Sequence, residues 1–106
     1  MKRRVLVIED DPDVGRLITL QLAELDCESR LVDDGVTGLA AAEEGRWDLV
    51  ILDLTLPRMD GLQICRRLRA AEVQTAILMG GKEPLLYFQR SYRALGLWPE
   101  DQVCGW

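Results

Sequence analysis

Three apolar runs, RVLVI (4–8), LVILD (49–53) and TAILM (75–79), constrain the fold of this chain more than any other feature. Each is continuously apolar rather than alternating, the pattern of a strand covered on both faces. Between them lie segments with helical spacing and local start signals. Asp11-Pro12 reads as an N-cap and first-turn proline, followed by Val14, Leu17, Ile18, Leu22 and Leu25. ESRLV (28–32) reads as a short strand. Asp34 caps a second helix carrying Val36, Leu39, Ala40 and Ala42, which Gly45 ends, and Asp60 caps a third with Leu62, Ile64, Cys65 and Leu68. Beyond Gly80-Gly81, Pro84 opens a fourth helix with Leu85, Phe88, Tyr92 and Leu95, and QVCGW (102–106) reads as a last short strand.

The order β-α-β-α-β-α-β-α with buried strands implies a parallel sheet with helices on both faces, a doubly wound α/β domain. At 106 residues the chain is one domain, 1–106, with one core. In such sheets the functional site lies outside the carboxyl ends of the strands. The first run stops at Glu9, Asp10, Asp11 and Asp13, and the second finishes on Asp53. Glu9, Asp10 and Asp53 therefore converge on one crevice, where a bound cation offsets their mutual repulsion. A cluster of oxygens suits a hard ion, Mg²⁺ far better than zinc. Seen singly, Glu9 and Asp10 read equally well as solvated loop acids. Asp53 ends the most apolar strand and is harder to dismiss. Asp11, Asp13, Asp34 and Asp60 read as caps and first-turn acids and are assigned no chemistry.

Composition excludes several classes. A net charge of −5 argues against nucleic acid as a direct partner of this segment. No apolar stretch approaches a membrane span, and MKRR is followed by too short an apolar run for an export signal, so a cytoplasmic protein is expected. Cys27, Cys65 and Cys104 lack metal spacing and read as reduced thiols, and histidine is absent.

VLVIEDDPDVGRLI together with WDLVILDLTLPRMDGLQICRRLR resembles the receiver domain of two-component response regulators, of the kind at the N-terminus of OmpR/PhoB-like regulators. The resemblance runs from residue 3 to about residue 79. It implies a flavodoxin-like, five-stranded sheet of order 2-1-3-4-5. By position, it implies that Asp53 is the phosphoacceptor and that Asp10 binds Mg²⁺ directly. Glu9 acts beside the ion or through water, and Thr55 offers its backbone carbonyl. Pro57 and Gly61 shape the loop behind the site. The phosphodonor is a histidine on a sensor kinase, and the domain is a signalling phosphoacceptor rather than an enzyme.

The last quarter departs from that pattern. Receivers usually carry Ser or Thr at the end of the fourth strand, where this chain has Gly81, and Lys-Pro after the fifth, whereas no lysine follows Lys82. Lys82 is near enough to substitute, though a solvated surface lysine is the simpler reading. The last strand is atypical and a fifth helix is missing. The switch is expected to be impaired or rerouted, with the fourth helix's apolar face covered by self-association, a partner or a rearranged tail. The sequence contains no DNA-binding domain, so a transcriptional effect requires a missing output segment or a partner. The rival readings are a degenerate receiver that binds a partner without a phosphorylation cycle, and a haloacid-dehalogenase-like phosphatase, which wants D-x-D-x-T where this chain has EDDPD. A dinucleotide-binding domain is excluded because acids and a proline stand in place of G-x-G-x-x-G.

Overall fold

The computed structural model describes residues 3–53, 56–73 and 75–80. Seven elements alternate along them. These are β1 (Arg3–Ile8), α1 (Pro12–Glu24), β2 (Cys27–Val32), α2 (Gly35–Glu44), β3 (Leu49–Asp53), α3 (Gly61–Ala70) and β4 (Ala76–Gly80). The strands form one parallel sheet of order β2-β1-β3-β4. The winding direction therefore reverses between β1 and β3, the neighbours that carry the acids. The expected fourth helix, fifth strand and absent fifth helix lie outside the described residues.

The continuous apolar runs are explained by two cores, one on each face. Leu6 and Ile8 of β1 and Val50 and Leu52 of β3 join Leu39, Ala42, Ile64 and Leu68 beneath α2 and α3. The alternate residues Val5, Val7, Leu49 and Ile51 join Ile18 and Leu22 beneath α1. β1 and β3 thus bury side chains in both directions, whereas β2, at the sheet edge, exposes Glu28 and Arg30. Charge on an edge strand discourages pairing with another chain.

Each helix starts where a local cap predicts. Asp11 accepts from the backbone N–H groups of Asp13 and Val14, at 2.9 and 3.3 Å. Asp34 accepts from Thr37 N at 2.8 Å. Asp60 and Gln63 form a reciprocal capping box. Several facings differ from the sequence reading. Leu17, Val36 and Leu62 are 40%, 40% and 49% exposed, and Ala40 is exposed where Ala41 is buried. Glycines take the missing positions: Gly15 of α1 and Gly35 and Gly38 of α2 are buried, which brings the helix backbones close to their neighbours. β2 begins at Cys27 rather than Glu28, and β4 covers 76–80 rather than 75–79.

Trp47 closes the amino-terminal side of β3. Its indole donates to the Ala41 carbonyl at 2.9 Å, and the Arg4 guanidinium lies 4.5 Å from the ring centroid. A backbone exchange ties β1 to the start of β3, with Arg4 N donating to the Asp48 carboxylate at 2.7 Å and Asp48 N to the Arg4 carbonyl at 2.8 Å. This end of the sheet is fixed by packing and hydrogen bonds. The opposite end carries the acids.

Candidate functional site

β1 and β3 run side by side with Ile8 level with Leu52, so one further step along both strands brings Glu9 alongside Asp53. Parallel pairing in this register places the two acids on neighbouring strand ends. Asp53 is the last residue of β3 and 3% exposed, and Glu9 is 4% exposed. Asp10, at the start of the β1–α1 turn, is exposed. Carboxylate oxygens of all three lie within 4.8 Å of one another.

Glu9 is oriented by its backbone and by its side chain. Its N–H donates to the Val32 carbonyl at 2.9 Å, extending the β1–β2 ladder by one step, and its Oε1 accepts from Asp11 N at 3.1 Å. The Asp11 cap therefore joins the cluster to the first turn of α1, whose N-terminal dipole favours anions. An open cleft of about 410 Å³ adjoins Glu9 and Asp10 and is completed by Pro12, Leu31, Val32, Asp33 and Thr37. Asp33 and Thr37 were not singled out from the sequence. The available signal was that Asp33 follows the end of β2 as Glu9 follows the end of β1.

Glu9, Asp10 and Asp53 are thus brought together as expected, while Thr55, Gly81 and Lys82 lie outside the described residues. Asp34 behaves as a cap. The Thr37 backbone N–H, and after it the Thr37 hydroxyl at 2.9 Å, hold its carboxyl below the ordinary 3.8. Cys27 and Cys65 are free thiols, and burial pushes the Cys27 thiol up. No helix among the described residues is long and apolar enough to cross a membrane.

A parallel sheet of this order, with a buried acid ending β3 beside two acids following β1, defines a receiver-type signalling domain. The chain belongs to the response regulator receiver domain family, whose model matches residues 5–92. It is 38% identical over 82 residues to the DNA-binding response regulator MtrA of Mycolicibacterium smegmatis, covering 77% of this chain and 36% of that protein. The transcriptional regulatory protein TcrA of Mycobacterium tuberculosis is 41% identical over 76 residues, covering 72% of this chain and 30% of TcrA. The chain therefore matches about a third of the length of these relatives. Among solved structures, the response regulator TrrA of Thermotoga maritima in complex with Mg²⁺-BeF superposes with a TM-score of 0.70 at 30% identity, covering 73% of this chain and 67% of TrrA. The flavodoxin-like fold expected from the sequence is the fold of these neighbours.

Proposed function

We propose that this domain takes a phosphoryl group onto Asp53 from a phosphohistidine on a sensor kinase, with Mg²⁺ held by the acidic cluster. The observation that carries the reading is the convergence of Glu9, Asp10 and Asp53, with oxygens within 4.8 Å of one another and two of the three residues buried. Carboxylates this close repel one another, and a bound cation offsets their charge. Oxygen donors without histidine or thiolate suit Mg²⁺. The solved complex of TrrA with Mg²⁺-BeF supports the same choice of ion.

In this reading Asp10 and Asp53 would hold the ion, Glu9 would act beside it or through water, and Thr55 would be the residue to offer a backbone carbonyl. The ion, when bound, supplies the positive charge that lets one anion approach another. A carboxylate oxygen of Asp53 attacks phosphorus as the phosphorus–nitrogen bond of the donor breaks. The bonding pair stays on the imidazole nitrogen, which is protonated. Asp53 is held for this at a rigid strand end, and its burial limits the approach of competing water. Water attack on phosphorus later returns the carboxylate and inorganic phosphate. The doubly charged aspartyl phosphate biases the surface between two states.

The free thiols of Cys27 and Cys65 fit a reducing, cytoplasmic setting. The DNA binding in MtrA's name is not carried over to this chain, which matches 36% of that protein. The second reading, an interaction module without a phosphorylation cycle, is favoured by Gly81 at the Ser/Thr position and by the lack of lysine within residues 83–106. Mg²⁺ discriminates at the level of the site. Because it binds only the folded arrangement, it should raise the melting temperature of the native chain. An equal rise in Asp10→Asn, or no rise in the native chain, rejects the metal assignment.

A further inference from the structure

The turn that follows Asp53 is seated on the N-terminus of α2 by contacts of three kinds. Gly35 N donates to the Pro57 carbonyl at 3.3 Å. Met59 N donates to that same oxygen at 2.8 Å, closing a three-residue turn centred on Arg58, whose φ is 72°. The space that a Cβ on Gly35 would occupy is filled by the Met59 backbone carbonyl. Finally, the Arg58 guanidinium lies 3.6 Å from the carboxylate of Asp34, the cap of α2.

A three-residue turn with positive φ at its centre is the rare, strained form, and a bulky side chain seldom adopts it. Such a conformation persists only where its surroundings over-determine it. The surroundings here are α2 and its cap. Leu56 and Met59 on either side are partly buried against the α2–α3 core, so the turn has little freedom except at Arg58 itself. Only two residues separate Leu56 from Asp53. The turn and Asp53 are thus joined by a link too short for one to shift far without the other.

We propose that Asp34 and Arg58 are positioning residues for the chemistry at Asp53, their ion pair clamping the turn after β3 onto α2. The inference rests on Asp53 as phosphoacceptor. It does not require the pair to stabilise the fold. The Arg58 side chain is 60% exposed, and pairs of that kind add little to stability. The expected signature is kinetic. Small displacements of groups bounding a reacting atom cost up to about a hundredfold in rate.

The test is the rate at which the full chain gains phosphate from acetyl phosphate with saturating Mg²⁺, read by intact mass, alongside urea unfolding of each variant. Asp34→Ser keeps a capping oxygen but cannot reach Arg58. Arg58→Gln removes the charge, and Arg58→Lys keeps it. Asp34→Ser and Arg58→Gln should each slow labelling by about threefold or more, and the double variant should be no slower than either, because both remove one contact. Arg58→Lys should label at close to the native rate, and unfolding midpoints should not follow the order of the rates. Native rates in Asp34→Ser and Arg58→Gln overturn the proposal, as do losses that multiply in the double variant or track the unfolding midpoints. A native chain that takes no phosphate overturns the acceptor reading itself and this proposal with it.

Discussion

Three helical glycines differ in what an added methyl group would meet, and replacing each with alanine isolates the cost of that neighbour. Within a helix the change is worth up to about 1 kcal/mol in favour of alanine. At Gly15 the new Cβ would lie 2.8 and 2.9 Å from the two terminal carbons of Leu31, a side chain 40% exposed on the edge strand. Leu31 can turn outward, so Gly15→Ala should stabilise by about 0.5–1 kcal/mol. At Gly38 the Cβ would lie 2.7 Å from both Cδ1 and Cγ2 of Ile8, which is fully buried. Overpacking of this kind costs about 1–3 kcal/mol and offsets the helical gain, leaving Gly38→Ala about 0–2 kcal/mol less stable. At Gly35 the obstacle is the Met59 backbone, with the carbonyl carbon at 2.8 Å. No rotamer change relieves that contact. Separating the two backbones would also break the hydrogen bond from Gly35 N to the Pro57 carbonyl, and an intramolecular hydrogen bond is worth about 1 kcal/mol. Gly35→Ala should therefore lose about 1–3 kcal/mol, as overpacking and the lost bond together outweigh the helical gain. Urea unfolding followed by far-ultraviolet circular dichroism, with equal slopes, gives the order Gly15→Ala above native, above Gly38→Ala, above Gly35→Ala. If Gly35→Ala is as stable as Gly15→Ala, α2 does not rest on the turn as described.

Other outcomes follow from single contacts. Asp60→Ala removes one half of the capping box and should cost about 0.5–2 kcal/mol in urea unfolding while leaving phosphate uptake intact. Leu68→Ala, at a fully buried position of α3, should cost about 2–5 kcal/mol. Iodoacetamide followed by peptide mapping should modify half-buried Cys65 before Cys27, whose thiol is buried and pushed up. Asp34 has a folded pKa below 3.8, so its charge contributes stability that is present above that value and lost as pH falls through the lowered one. The stability gap between the native chain and Asp34→Ser should therefore be full at neutral pH and shrink below pH 3.8; a gap that widens on acidification contradicts the assignment. A beryllofluoride mimic should produce only small backbone NMR shift changes across residues 80–106 if the switch is impaired. Large changes throughout that segment in a clean monomer would refute that expectation.

What was legible in the sequence was local or periodic. RVLVI and LVILD could be read as buried strands because both faces are apolar, and their ends then placed Glu9, Asp10 and Asp53 without further information. The caps Asp11, Asp34 and Asp60 were legible for the same reason, since each acts within three residues of itself. Contacts between distant segments left no such trace. Leu17, Val36 and Leu62 fit helical stripes yet face outward, because Gly15, Gly38 and Gly61 take the buried positions of their helices, which a hydrophobicity pattern does not record. Trp47 gave no periodic signal because its partners, Arg4 and Ala41, come from other elements. The pairing of Arg58 with Asp34 depends on the turn after β3 reaching α2, a tertiary fact that PRMDG alone does not reveal.

The most direct test of the account is where phosphate goes. The native chain is incubated with acetyl phosphate and Mg²⁺, weighed intact, and digested to locate the modification, with Asp53→Ala beside it. One phosphate-sized gain is expected, dependent on Mg²⁺, mapped to Asp53 and absent from Asp53→Ala. A gain that persists in Asp53→Ala, or maps to another residue, moves the acceptor elsewhere. No gain in the native chain leaves the domain as an interaction module and contradicts the central claim.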